Sequence, residues 1–208
     1  MEENEIGIKT KLPALLACCL LLLACADEPK LSPLPANAVI LAFGDSLTNG
    51  NGARREESYP AVLETLSARP VINAGVSGEV SAAGLERLPG LLSKHQPKLV
   101  LLCHGGNDFL RKLNLGKLEA NVTEMIRLAR EAGAEVVLLG VPRPGLFLSS
   151  ADLYAKVAAS TGVVFIESLV ADVLGDNSLK SDAVHPNKRG YRRMAETIYD
   201  NLKSAGAL

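Results

Sequence analysis

The chain has 208 residues, 48% hydrophobic and 22% charged, with a formal net charge of -1 at pH 7. That length and balance fit one globular domain with its own core plus a tail, and exclude a disordered chain. The even charge argues against a nucleic-acid binder, and aromatics at 4% with no Trp leave few platforms for stacking bases or sugar rings.

The N-terminal segment reads as a targeting signal. Lys9 and Lys11 precede an apolar run, residues 12–24, broken only by Pro13. The run is shorter than the roughly 20 residues of a membrane-spanning helix. It ends in Leu22-Leu23-Ala24-Cys25, before the polar Asp27-Glu28-Pro29, as a signal peptide does at its cleavage site. Leu-Leu-Ala-Cys also resembles the bacterial lipobox, whose Cys becomes the lipidated first residue. Glu2, Glu3 and Glu5 depart from the usual basic leader. The resemblance implies a lipoprotein signal over residues 1–24 and lipidation at Cys25. Export would follow, to the outer membrane or the periplasmic side of a bacterial cell membrane. A plain signal peptide, leaving a periplasmic protein, and an uncleaved anchor are the alternatives. Residues 25–37, with Pro33 and Pro35, read as a tether, and 38–208 as the domain. Cys18 and Cys19 fall inside the signal, so lipidation of Cys25 leaves Cys103, in an apolar strand pattern, as a buried inert thiol.

The body alternates strand and helix. Apolar runs at 39–43, 71–74, 99–103, 136–139 and 163–166 predict strands buried on both faces. Between them lie helical patterns. The clearest covers 118–132, where Leu118, Val122, Met125, Ile126 and Ala129 form one apolar stripe and Gly133 supplies a stop. A last helix follows Pro186, with Tyr191, Met194, Ala195, Ile198 and Leu202 on one face. Such alternation predicts an α/β domain with a parallel sheet and helices on both sides.

Ligands of such sheets bind beyond the carboxyl ends of the strands. The first strand is followed there by Gly44-Asp45-Ser46-Leu47-Thr48-Asn49-Gly50, the second by Gly75-Val76-Ser77-Gly78, the third by Gly105-Gly106-Asn107-Asp108. A fourth polar segment reads Asp182-Ala183-Val184-His185-Pro186-Asn187. A serine hydroxyl becomes a strong nucleophile only when a base takes its proton. Of the three histidines, His95 lies in a polar helix end and reads as solvated. His104 ends the third strand, as a rival base or a residue tucked under the Gly-Gly turn. His185 is the preferred base for Ser46, because Asp182 three residues earlier can hold one ring nitrogen and leave the other free. The N–H groups of Ser46 and Gly78 and the Asn107 amide are candidate donors to an oxyanion. Taken singly, Gly78 is equally a turn glycine and Asn107 a cap.

Gly44-Asp45-Ser46-Leu47, Gly78, Gly106-Asn107-Asp108 and Asp182-x-x-His185 together resemble the GDSL or SGNH hydrolases, in their bacterial thioesterase I, lysophospholipase and arylesterase branch. Ser58-Tyr59-Pro60-Ala61-Val62-Leu63, Asn73-Ala74-Gly75-Val76-Ser77-Gly78-Glu79 and Arg87-Leu88-Pro89 match as well. The resemblance spans about residues 39–202. It implies a flavodoxin-like three-layer α/β/α sandwich with a five-stranded parallel sheet in order 2-1-3-4-5. It implies Ser46 as nucleophile, His185 as base, Asp182 as its partner, and Ser46, Gly78 and Asn107 as the oxyanion hole. No cofactor or metal is implied. The expected substrates are small-molecule esters or thioesters, taken by arylesterase, thioesterase or lysophospholipase chemistry. The membrane contact is the lipid anchor, and no protein partner is readable.

Three places stand apart from the pattern. Glu79 occupies a position where the branch often has Asp, a change of loop contact only. Asn49-Gly50-Asn51-Gly52 reads as flexible, followed by the charge run Arg54, Arg55, Glu56, Glu57, a solvated face or a rim of the acyl site. Leu146, Phe147 and Leu148 read as an apolar lip over the acyl chain or as ordinary burial under a loop. Competing functions are a carbohydrate or lipid O-acyl esterase, a metallophosphoesterase using Asp45, His104, Asn107, Asp108 and His185, and a non-catalytic surface lipoprotein.

Overall fold

The computed structural model describes residues 29–143, 145 and 148–208. The signal segment 1–24, the lipidation site Cys25 and the lip residues Leu146 and Phe147 lie outside the described residues.

The apolar runs form the predicted strands. In chain order these are β1 (Ile40–Gly44), β2 (Val71–Gly75), β3 (Leu99–Cys103), β4 (Glu135–Leu139) and β5 (Val164–Ile166). They pair in parallel as β2-β1-β3-β4-β5. Every residue of β1 and β3 is buried, as their unbroken apolar sequences require of central strands. The helices are α1 (Ser46–Asn49), α2 (Tyr59–Ser67), α3 (Ser81–His95), α4 (Gly106–Leu110), α5 (Leu115–Glu131), α6 (Asp152–Thr161), α7 (Leu169–Gly175) and α8 (Lys188–Ser204). Helices α2, α7 and α8 pack together, and α3, α5 and α6 pack together, giving a helical layer on each side of the sheet. This is the three-layer α/β/α architecture and strand order expected.

Local chemistry sets the helix ends. α5 begins three residues before its apolar stripe, because the Asn114 side chain accepts from Lys117 N at 3.0 Å and caps the first turn. Its stripe, Leu118, Val122, Met125, Ile126 and Ala129, is buried as predicted. So are Tyr191, Met194, Ala195, Ile198 and Leu202 of α8. Cys103 is fully buried, and burial pushes its thiol well above the ordinary value.

Residues 31–36, read as a tether, lie on the domain. Leu31 and Leu34 are buried, and their N–H groups donate to Ala205 O and Ala207 O at 2.9 Å each. Ser32 N donates to the Glu135 carboxylate. The alternation of Leu and Pro there is a packing pattern, with the leucines facing inward.

Candidate active site

The site grows out of the carboxyl ends of β1, β2 and β3. Gly44, the last residue of β1, must be glycine, since a Cβ would stand 2.1 Å from Cys103 O and 2.4 Å from Thr48 Oγ1. The chain then turns sharply. The Asp45 side chain accepts from Leu47 N at 3.1 Å and caps α1, so that Ser46 is the helix's first residue. Asp45 is 2% exposed. Burial raises its carboxyl above the usual range, opposed by the nearby His104 and the Leu47 N–H.

The histidine arrives from the far end of the chain. Residues 180–186 form a tight turn closed by Ser181 N to His185 O at 2.9 Å and an antiparallel bridge between Lys180 and Pro186. Inside it, Asp182 Oδ1 accepts from Val184 N at 2.8 Å and His185 N at 2.9 Å, and Oδ2 meets His185 Nδ1 at 2.8 Å. Partial desolvation works to raise the Asp182 carboxyl. The Val184 N–H, the His185 ring and the His185 N–H outweigh it and hold the group below its usual value. With the ring proton on Nδ1, His185 Nε2 accepts from Ser46 Oγ at 3.0 Å. The structure thus brings Ser46, His185 and Asp182 into one hydrogen-bonded line.

Gly78 and Asn107, the other candidate donors, lie on the turns after β2 and β3. Gly78 sits at φ +78° in the turn after β2, a conformation that favours glycine. Asn107, in the first turn of α4, donates to Glu79 O at 3.0 Å and Asp45 Oδ2 at 3.3 Å. The N–H groups of Ser46 and Gly78 donate to no acceptor among the described residues. Ser46 and Asn107 open into a cleft of about 340 Å³ whose walls include Leu47, Leu110, Leu148, Leu174 and Val184, with Lys180 among them. A larger groove, about 510 Å³ around Val163 and Ala205, lies away from these residues. The exposed large hydrophobics among the described residues are Val76, just after β2, Leu110, the last residue of α4, and Leu113, between α4 and α5.

The other sequence candidates go elsewhere. His104 is 1% exposed and bonds Glu79 Oε2 at 3.0 Å, so it is the residue tucked under the turn rather than a base. His95 is half-buried at the end of α3, not fully solvated. Asp108 is buried and accepts from Ser81 N at 2.8 Å and Ser81 Oγ at 2.6 Å, capping α3 in place of its own N-cap residue, Val80. These bonds occupy two of the ligand types a metal site would need, and no cluster of three or more His, Cys, Asp or Glu forms among the described residues. The charge run 54–57 is a solvated face, with Arg54 paired to Glu56 and Glu57. Asn49-Gly50-Asn51-Gly52 is tied down, contrary to the expectation of flexibility. Asn51 Oδ1 accepts from Asn49 Nδ2 and Ser77 Oγ at 2.7 Å each, and Asn51 O accepts from Tyr191 Oη at 2.7 Å.

One group was missed. Glu79, treated as a loop variation, is 7% exposed at its side chain. It is gripped by Arg87, with Nε on Oε1 at 2.6 Å and Nη2 on Oε2 at 2.6 Å. Desolvation works to raise the Glu79 carboxyl, but the bonds from His104 and Arg87 bring it down to about 2. The eight-residue spacing of Glu79 and Arg87 was readable. That α3 turns Arg87 back onto the loop was not.

The chain is similar to several known proteins. The model of the GDSL-like lipase/acylhydrolase family matches residues 42–193. Esterase TesA of Pseudomonas aeruginosa is 32% identical over 195 residues, covering 88% of this chain and 97% of that protein. Thioesterase 1/protease 1/lysophospholipase L1 of Escherichia coli K12 is 32% identical over 172 residues, covering 79% and 83%. The crystal structure of the psychrotrophic esterase EstA from Pseudoalteromonas sp., inhibited by monoethylphosphonate, superposes with a TM-score of 0.73 at 27% identity. It covers 81% of this chain and 98% of that one.

Proposed function

The chain belongs to the GDSL-like lipase/acylhydrolase family and is an ester-bond hydrolase, and from that premise we propose a two-step serine mechanism for it. The observation that carries the proposal is the line Asp182 Oδ2–His185 Nδ1, His185 Nε2–Ser46 Oγ, at 2.8 and 3.0 Å. His185 takes the Ser46 proton as the oxygen attacks an ester or thioester carbonyl. Asp182 holds the ring in the required tautomer and stabilises the imidazolium. The oxyanion lies among Ser46 N–H, Gly78 N–H and the Asn107 amide. His185 then protonates the departing alcohol or thiol, and water hydrolyses the acyl-enzyme by the reverse path. The relative inhibited by monoethylphosphonate supports this, since a serine nucleophile is the group that phosphonates trap.

The apolar cleft walls, with the exposed Leu110 among them, suit an acyl chain better than a sugar. Arylesterase, acyl thioesterase and lysophospholipase activities all fit such a cleft. We further propose that the chain is exported and lipidated at Cys25. With Leu31 packed on the domain, the six residues after Cys25 reach at most about 20 Å, which would hold the enzyme close to a membrane surface. Radiolabelled palmitate incorporated by the full chain and lost in Cys25→Ser tests the anchor.

Hydrolysis of p-nitrophenyl acetate, butyrate and decanoate by the wild type and by Ser46→Ala tests the function. Turnover that disappears in Ser46→Ala is expected. Equal turnover in both proteins rejects the serine mechanism.

A further inference from the structure

Beneath the site lies a charged cluster that the proposed mechanism does not use. The Arg87 guanidinium, on α3, donates from Nη2 to Gly44 O at 3.2 Å and Ala74 O at 2.8 Å, while Nε and Nη2 grip the Glu79 carboxylate. Glu79 Oε2 is also bonded to His104 Nε2 at 3.0 Å. The His104 side chain is fully buried, and its backbone carbonyl accepts from Tyr154 Oη at 2.7 Å. Phe43 of β1 floors the cluster, with the Arg87 guanidinium 4.3 Å from its ring centroid and the His104 ring 5.7 Å away. α3 comes down onto it through Gly84, where a Cβ would stand 2.4 Å from His104 Nε2.

The attachment points have a common property. Gly44 lies two residues before Ser46. Glu79 directly follows Gly78. His104 lies three residues before Asn107. The carbonyl of Glu79 itself receives the Asn107 amide at 3.0 Å. A single carboxylate and a single guanidinium therefore join the ends of β2, β1 and β3 where the three site-bearing turns leave the sheet.

We propose that Glu79, with Arg87 and His104, is a positioning residue that sets Gly78 N–H and the Asn107 amide against Ser46. The inference rests on the serine mechanism proposed above. Its reason is geometric. An oxyanion donor works only at about 2.7–3.1 Å from where the charge develops, and a shift of about 1 Å can cost about 100-fold in rate. A partly buried ion pair such as this one, with the Arg87 side chain 26% exposed, is a poor device for stability alone, because desolvation and screening offset much of its attraction. A bidentate pair spanning three turns is a good device for fixing distances.

The test uses the full chain with Glu79→Gln, Glu79→Asp and Arg87→Lys, each also combined with Asn107→Ala, and Ser46→Ala as control. Thermal unfolding is measured beside kcat and KM for p-nitrophenyl butyrate. Glu79→Gln should lower kcat about tenfold or more with KM changed less than about twofold, since positioning acts in the transition state. Glu79→Asp, which keeps the charge, should recover part of that loss. In the Asn107→Ala background Glu79→Gln should cost clearly less than it does with Asn107 present, because one of the two donors it positions is gone. Arg87→Lys, which loses the fork, should reproduce the pattern if Glu79→Gln proves too unstable to assay. Folded Glu79→Gln or Arg87→Lys with wild-type kcat overturns the inference, as does the same loss with and without the Asn107 amide. In either case an inactive Ser46→Ala leaves the serine mechanism standing. An active Ser46→Ala overturns both.

Discussion

Asp182 holds His185 at two points, the ring nitrogen Nδ1 through Oδ2 at 2.8 Å and the backbone N–H through Oδ1 at 2.9 Å. The carboxylate that orients the His185 ring also builds the turn on which that ring is mounted. Three residues of separation suffice because Oδ1 closes an Asx-type turn while Oδ2 stays free for the ring.

This double role separates two substitutions. Asp182→Asn keeps an oxygen for the Val184 and His185 N–H groups but can present an N–H to Nδ1, favouring the wrong tautomer. It should keep the unfolding temperature and lower kcat by roughly 10³-fold. That is less than the about 10⁴ known for a buried triad aspartate, because Asp182 is 54% exposed at its side chain and its charge is partly screened. Asp182→Ala loses the turn as well and should also lower stability by about 1 kcal/mol. Steady-state kinetics and thermal unfolding on both variants check this.

The acid limb of the pH–rate profile should report one proton. On the proposed mechanism the residue that takes the Ser46 proton must be unprotonated, so activity is lost in acid. Asp182, held below its usual value, stays ionised through that step. The activity therefore falls with falling pH along a slope of one in log kcat/KM. A profile flat from about pH 5 to 8 would remove histidine from the mechanism.

On the proposed mechanism Asn107→Ala removes one oxyanion donor and should lower kcat about 10²–10³-fold. Gly78→Ala tests the second donor by another route. The added Cβ has space, with Arg111 Nη2 the nearest atom at 3.7 Å, but φ +78° is strained for a side-chain-bearing residue by about 1–2 kcal/mol. Relief of that strain should turn the N–H away and lower kcat with KM little changed.

Glu79 should leave a mark on acid stability. Its carboxyl is brought down to about 2, so the folded protein binds this proton more weakly than the unfolded chain. The stabilisation is complete above the ordinary carboxylate range near pH 4.5 and is lost as pH falls toward 2. Across that window the unfolding temperature of the wild type should fall more steeply than that of Glu79→Gln. Parallel slopes would mean that the carboxylate is not held as the geometry indicates.

What the sequence made legible follows from the range of the physics involved. Unbroken apolar runs declare central strands, and polar residues at their carboxyl ends declare a site, so Ser46, Gly78 and Asn107 could be named from local pattern. The Asp182–His185 pair is a three-residue turn and equally local. The missed features are long-range pairings. Asn51 lies in a glycine-rich stretch that looks mobile until Tyr191, far along the chain, donates to its carbonyl. Asp108 reads as a motif residue, yet its carboxylate caps a helix beginning 27 positions earlier. His104 and Arg87 carry no periodic signal that would pair them with Glu79. Leu31 and Leu34 resemble a linker until the segment after α8, at Ala205 and Ala207, accepts their N–H groups.

The proposed mechanism requires that Ser46 carry the acyl group covalently between its two steps. The most direct measurement is mass spectrometry of the protein quenched from acid during turnover of p-nitrophenyl butyrate, followed by peptide mapping. A butyryl adduct is expected on the peptide containing Ser46, absent from Ser46→Ala and accumulating when Asn107 and His185 are intact. An adduct on another residue, or turnover with no adduct and no dependence on Ser46, would contradict the proposed mechanism.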